Sequence, residues 1–515
     1  METFVNVGPL QALLQSKDNQ VLFGRRGTGK THALTYLAES TRQTDSQAIF
    51  VDLRNIGSSG GLYADSALSI AERGTRLLID VLEAVHSELV DIGLEGSYSS
   101  GTEGDALPLL DQLADAISEV RVSGSVEREH TGAREFSEEA TVKADVAKSG
   151  ITMSGSSAEK RTESASVRIK ESGAASHTVR FGAVANLVPR IIKALGIKRL
   201  WILLDEWSSL PLDLQPFLAD LLRRSLMTTP QITLKIAAIE ERSSFYSHGE
   251  TPGSGIGMEV GADIAADVNL DDFMVFEQDE ARAIAFFSEL LHKHVSAILR
   301  DRSDEASFKG VDVPVDRNSF IKSTFTQASS FAELVRAAEG VPRDAINVAF
   351  LAAQSADSDK ISVPVIRQAA QTWYNRDKQK DIAEHEKALG LLHWIIDEVI
   401  KQKRAKAFML EQGRPTQDPL IRLLYDARIL HIIRKGIAHK DTPGRYNAYA
   451  LDYGCYVDLM ATQRAPLGFL PIDIGDEQGF VLTAAEIAVP SEDFRSIRRG
   501  ILKLDEFEAR WRDMQ

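Results

Sequence analysis

Residues 20–31 read QVLFGRRGTGKT, and they decide the fold class. Gln20–Phe23 is a short apolar run that stops at a glycine-rich turn, and THALTYLAEST (31–41) follows with a helical pattern. Gly24-Arg25-Arg26-Gly27-Thr28-Gly29-Lys30-Thr31 fits G-x-x-x-x-G-K-[ST], the phosphate loop between a strand and a helix, without deviation. The chemistry needs those residue types. Glycines let backbone N–H groups curl round an anion where a Cβ would obstruct them, and the following helix turns its positive end toward the phosphates. Lys30 is expected to neutralise the β/γ-phosphate charge and Thr31 to ligate magnesium. The loop from Gly24 to Thr31, with His32 behind it, is therefore the candidate site for ATP or ADP with Mg2+.

Such a site needs a carboxylate at the tip of a neighbouring strand. Arg199–Asp205 (RLWILLD) is a nearly continuous apolar run, as in a strand buried on both faces. Asp205 at its end is expected to hold magnesium, and Glu206 to polarise the attacking water. An acid ending a buried strand is costly unless it serves a cation or reaches solvent. Ala48–Leu53 (AIFVDL) and Ile232–Ile239 (ITLKIAAI) are further strand candidates, and 65–90 has the apolar spacing of a helix. Strands alternating with helical patterns predict an α/β fold with a parallel sheet.

Asp205 lies 175 residues after Lys30, too far for one compact sheet without an insertion. The stretch from about 94 to 180 is rich in Ser, Gly, Thr and Glu. Its period-2 pieces TVKADVA (141–147) and SVRIK (166–170) predict an inserted β-hairpin arm, with a disordered surface insertion as the alternative.

From 279 to about 373 the pattern is helical. From 384 it changes to a long amphipathic helix (EHEKALGLLHWIIDEVIKQKR), a short strand (KAFML), a helix (DPLIRLLYDARI) begun by Asp418 and Pro419, and two strands (LHIIRKG, YNAYALDY) around HKDTPGR. That is the order of a winged helix. A mixed tail closes with the charged helix LDEFEARWRDM.

Composition sets the outer bounds. At roughly 150 residues per domain, 515 residues amount to about three domains. No apolar run approaches a membrane span, and the first residues do not have a secretory pattern. The single cysteine, Cys455, excludes an internal disulfide framework, which fits a reducing, cytoplasmic setting. A net charge of −15 argues against a general nucleic-acid coat but not against a local basic face. The string NRDK (375–378) lies in a helical stretch rather than after a strand, which disfavours a GTPase. Ser58-Ser59-Gly60-Gly61 lies too early for a transporter signature. The histidines lack a zinc-ligand spacing, and His292 and His294 are expected to be solvated.

With the phosphate loop, LLDEWSSLP, ITLKIAAIEERSSF and GVPR in this order, the chain resembles the AAA+ ATPases, and more narrowly the bacterial relatives of the origin-recognition (ORC-type) initiator ATPases. The resemblance implies an AAA+ core over 1–277 with the insertion at about 94–180. It also implies a helical lid over 278–380, a winged-helix domain over 384–465 and a tail over 466–515. It implies that Arg343 of GVPR is a sensor-2 residue reaching the γ-phosphate. It places an arginine finger at Arg223 or Arg224, acting on a neighbouring subunit's ATP in a homo-oligomer; paired arginines at a helix C-terminus also suit its dipole. Glu240, Glu241 and Arg242 stand where the family has a polar sensor-1 residue, and a carboxylate there needs a partner, with Arg242 the nearest candidate.

Residues 401–445 hold eleven basic residues (Lys401, Lys403, Arg404, Lys406, Arg414, Arg422, Arg428, Arg434, Lys435, Lys440 and Arg445) against four acids, a balance of +7. This island coincides with the winged-helix pattern and suits the backbone of duplex DNA. The alternative is a docking surface for the acidic remainder of the chain or for a partner. The expected function is an ATP-hydrolysing switch that engages duplex DNA. A signalling or antiviral-defence ATPase gating an effector protein is the alternative.

Overall fold

The computed structural model describes residues 2–6, 8–42, 46–56, 68–94, 103–117, 119–129, 168–248, 255–273, 279–303, 313–402, 407–413, 416, 418–438, 444–461 and 501–514. The first part of the chain forms α1 (Leu10–Leu14), β1 (Gln20–Phe23), α2 (Lys30–Thr41), β2 (Gln47–Asp52), α3 (Ile70–Leu94) and α4 (Glu103–Ile117). Then come β3 (Glu119–Glu129), β4 (Arg168–Thr178), α5 (Phe181–Ala194), β5 (Leu200–Asp205), α6 (Gln215–Ser225) and β6 (Ile232–Ala238). Short strands β7 (Tyr246–Ser247) and β8 (Ile256–Gly257) precede β9 (Ala265–Asn269). Helices α7 (Glu280–Asp301), α8 (Arg317–Thr324), α9 (Ala328–Ala337), α10 (Pro342–Ala356), α11 (Val363–Trp373) and α12 (Gln379–Ala383) follow. The C-terminal part holds α13 (Glu386–Ile395), β10 (Ala407–Glu411), α14 (Pro419–Asp426), β11 (Leu430–Ala438), β12 (Arg445–Leu451), α15 (Tyr453–Ala461) and α16 (Leu504–Met514).

The fold is α/β with a mostly parallel central sheet, as the alternating pattern predicts. Its order is β2-β5-β6-β1-β9. β2 and β5 run parallel in register, from Gln47 opposite Leu200 to Asp52 opposite Asp205. Every residue of β5 and β6 is buried, because helices cover both faces of such a sheet and leave no polar side to alternate with.

The chain forms two compact units, 40–235 with 244–265, and 1–39 with 236–243 and 266–515. In the first, α3 buries Leu77, Leu78, Val81, Leu82, Val85 and Leu89 along one face, the spacing of an amphipathic helix. Part of the predicted insertion is helical: α4 buries Leu109, Leu110, Leu113, Ala116 and Ile117. A 3–4 spacing of apolar residues outweighs the strand-like composition around it. Beyond α4, β3 and β4 form an antiparallel ladder from Glu119 opposite Thr178 to Glu129 opposite Arg168. The stretch 141–147 lies outside the described residues, as does 58–61.

In the second unit α10 begins with Pro342 at its first position, where a missing N–H is harmless. The long helix expected from 384 is α13 followed by a wider π-type turn over Ile396–Gln402. Asp418 caps α14, accepting from the N–H groups of Leu420 (2.8 Å) and Ile421 (3.3 Å). Strands β10, β12 and β11 form an antiparallel sheet in that order. Among the described residues no helix is long and apolar enough to cross a membrane.

Candidate functional site

The Gly24–Thr31 loop runs from the end of β1 to the first turn of α2, as expected. Gly27 (φ 84°) and Gly29 (φ 95°) have left-handed backbones, which L side chains rarely adopt. A Cβ on Gly29 would meet no heavy atom within 4 Å, so that side of the loop is open. The Lys30 ammonium donates to the carbonyls of Gly24 (2.8 Å) and Arg25 (3.0 Å), and Thr28 Oγ1 also donates to the Arg25 carbonyl at 2.9 Å. The loop thus gathers a cation, turned glycines and a helix start in one place, a donor set that suits a polyphosphate. Arg26 is exposed and Arg25 is buried.

The start of α10 packs on this loop. The Arg343 N–H donates to the Gly27 carbonyl at 3.1 Å, and a Cβ on Gly27 would lie 2.8 Å from the Arg343 Cβ. The Arg343 side chain itself is exposed. His32 is half-buried. Its Nε2 lies 3.4 Å from Thr3 Oγ1 and its ring stands edge-on to Phe4. Burial and the neighbouring His294 lower its pKa.

In the other unit, Asp205 ends β5 almost fully buried. Its Oδ1 accepts from the Glu206 N–H at 2.9 Å. Glu206 has φ 58° and ψ 37°, a left-handed conformation that is uncommon outside glycine and costs on the order of 1–2 kcal/mol. Such strain is retained where surroundings over-determine it, often at functional positions. Arg54, just beyond β2, donates to Asp52 (Nη2 to Oδ2, 2.6 Å) and lies 3.7 Å from Glu206 Oε1. The Arg54 hydrogen bond holds the Asp52 carboxyl below its usual pKa.

Arg223 and Arg224 close α6 and share one buried carboxylate, Asp220, at 2.8 and 2.7 Å. Asp263 stands 3.8 Å from Arg223. At the tip of β6, Arg242 pairs with Asp426 at 3.3 Å rather than with its neighbouring glutamates. Glu240 pairs instead with Lys435 and lies 3.4 Å from the Asn269 amide. The partner that local sequence suggested for this carboxylate is thus replaced by one from β11.

The basic island is not uniformly outward. Arg428 is buried, with φ 60°, and pairs with Asp344 at 2.7 Å and with Asp377. Lys435 holds Glu240. Arg445 is exposed, donating to the Gly436 carbonyl at 3.0 Å. Lys440 lies outside the described residues. His292 and His294 are half-buried rather than solvated, bonded to the carbonyls of Pro314 (3.0 Å) and Leu290 (2.9 Å). Among the described residues no cluster of three His, Cys, Asp or Glu could hold a metal by itself.

No protein-family model matches the chain, and no curated protein matches it. Sequence reasoning missed Arg54, which no motif spacing flags, and His431, Asp271 and Glu339, which surround Arg25. Of the second group only His431 carries a local signal, as a histidine within the apolar run LHII.

Proposed function

We propose that the protein is an ATP-binding and ATP-hydrolysing switch of the AAA+ type, resembling the ORC-type relatives. The observation that carries this reading is the loop itself. Gly27 and Gly29 in left-handed backbone, Lys30 folded over the loop and the first turn of α2 together make an anion cradle with an open side. Thr31 and Asp205 are the residues that would hold magnesium, which would neutralise charge on the phosphates. Glu206 would accept a proton from the attacking water, and Arg343, at the start of α10, would serve the γ-phosphate.

In the same reading α13–β12 form a winged helix, since helix, strand, helix and two antiparallel strands follow in that order, and β3 and β4 are the base of an arm. The helices between Glu280 and Ala383 serve as the lid. Arg223 or Arg224 serves a neighbouring subunit, and exposed Arg445 serves duplex DNA. One observation favours the second reading, an effector-gating ATPase. Arg428 and Lys435 are engaged within the chain, so less of the island's charge is left for DNA than the sequence count implies.

Titration of ATP and ADP with Mg2+ into the wild-type chain and into Lys30→Ala tests the central claim. Tight binding by the first and loss of most affinity in the second are expected, since no water replaces the ammonium at equal geometry. Equal affinity in both would remove the loop from its role.

A further inference from the structure

The Arg25 side chain is turned inward from the loop, only 3% exposed. It is held from three directions within one unit. Its N–H and Nε donate to the two oxygens of Asp271, at 3.0 and 2.8 Å. Its Nη2 donates to the carbonyl of Glu339 at 3.0 Å, in the turn before α10 where Glu339 has φ 49°. Its Nη1 donates to Nδ1 of His431, on β11.

The partners settle the state of that histidine. A guanidinium can only donate, so Nδ1 accepts. Nε2 lies 3.1 Å from Asp452 Oδ2, which can only accept, so Nε2 carries the proton. The imidazole is neutral and singly protonated, and both its nitrogens are used.

The contact is one link of a closed ring. Asp452 also caps α15, accepting from the Gly454 N–H at 2.9 Å, and pairs with buried Lys378. Lys378 lies 2.8 Å from Asp344 in the first turn of α10. Through Arg343 N–H to Gly27 O, α10 returns to the loop. The loop is therefore gripped at Gly27 by α10 and at Arg25 by β11, and the same buried charges join the two grips.

We propose that His431 is a positioning residue for the phosphate loop: by accepting from Arg25 it holds the loop in its phosphate-binding shape and makes nucleotide affinity depend on the seating of β11. This rests on the nucleotide reading above. Truncating a buried partner of a charged donor leaves that donor unsatisfied, which corresponds to a loss of on the order of tenfold in affinity. Coupling is reciprocal, so bound nucleotide must in turn hold β11.

The test is titration of MgATP into full-length wild type, His431→Ala and His431→Gln, with amide hydrogen exchange across 430–438 with and without ATP. Glutamine can accept with Oε1 and donate with Nε2. The expected result is binding about tenfold weaker in His431→Ala, largely restored in His431→Gln, with ATP slowing exchange along β11 in the wild type. Unchanged affinity in folded His431→Ala, or equal weakness in both variants, overturns the role of His431 and leaves the nucleotide reading standing. If the alanine variant does not fold, the wild type alone decides, because absence of ATP-dependent protection in 430–438 overturns the coupling. A wild type that binds neither ATP nor ADP removes both readings.

Discussion

The Arg54 guanidinium lies 3.7 Å from the Glu206 carboxylate while a second nitrogen donates to Asp52 at 2.6 Å. A residue outside every motif thus stands beside the candidate base. The pair is partly open to solvent, with side-chain exposures of 55% and 30%, so its strength is that of a surface ion pair, up to about 1 kcal/mol.

Releasing that pair should free the carboxylate to accept a proton. Arg54→Ala is expected to raise basal ATP hydrolysis by up to about fivefold, read as steady-state phosphate release. A fall in rate would instead assign Arg54 to orienting Glu206.

Glu206→Gln keeps size and left-handed backbone but cannot take a proton. Single-turnover hydrolysis should drop by roughly 10²–10⁴-fold with ATP affinity retained. A rate near the wild type would remove Glu206 from the role.

Arg223 and Arg224 both hold Asp220, so a finger would have to exchange that carboxylate for a phosphate. Mixing Arg223→Ala/Arg224→Ala protein with Lys30→Ala protein should restore part of the ATPase activity, each supplying what the other lacks. No recovery at any ratio, with both folded, would make the pairs stabilisers of the end of α6 alone.

His431 has its pKa pushed down to about 4 from 6.5, first by burial and against the pull of Asp452. The unfolded chain therefore takes up a proton near pH 6.5 that the native chain refuses until about pH 4. Stability is complete above that window and falls as pH drops through it, because the unfolded state binds more protons there. Relative to His431→Gln, the wild type should lose roughly 3 kcal/mol between pH 7 and pH 4, measured by urea unfolding. His32, also lowered, is common to both proteins and cancels. Parallel pH profiles would contradict this account.

If the β11–β12 region contacts duplex DNA, Lys440→Ala/Arg445→Ala should reduce the log–log salt slope of binding by roughly 2 units. Lys435→Ala should leave that slope nearly unchanged, because its charge is already taken by Glu240. Anisotropy at several salt concentrations reads both. An unchanged slope in the double variant would turn the reading toward a protein partner.

Local rules carried much of the sheet and its loop. The span QVLFGRRGTGKT contains its own turn chemistry, RLWILLD and ITLKIAAI announce buried strands by continuous apolar character, and Asp418–Pro419 announces the start of α14. Each depends on neighbours within a few residues, which a linear reading can weigh. What only the tertiary structure decided are the partners of charged groups: Arg25 with His431 and Asp271, Arg54 with Glu206, Lys435 with Glu240 rather than Arg242, Arg428 turned inward from a basic run. These partners are up to 406 residues apart. A charge in sequence looks the same whether solvated or buried, and only the fold supplies the opposite charge that makes burial tolerable.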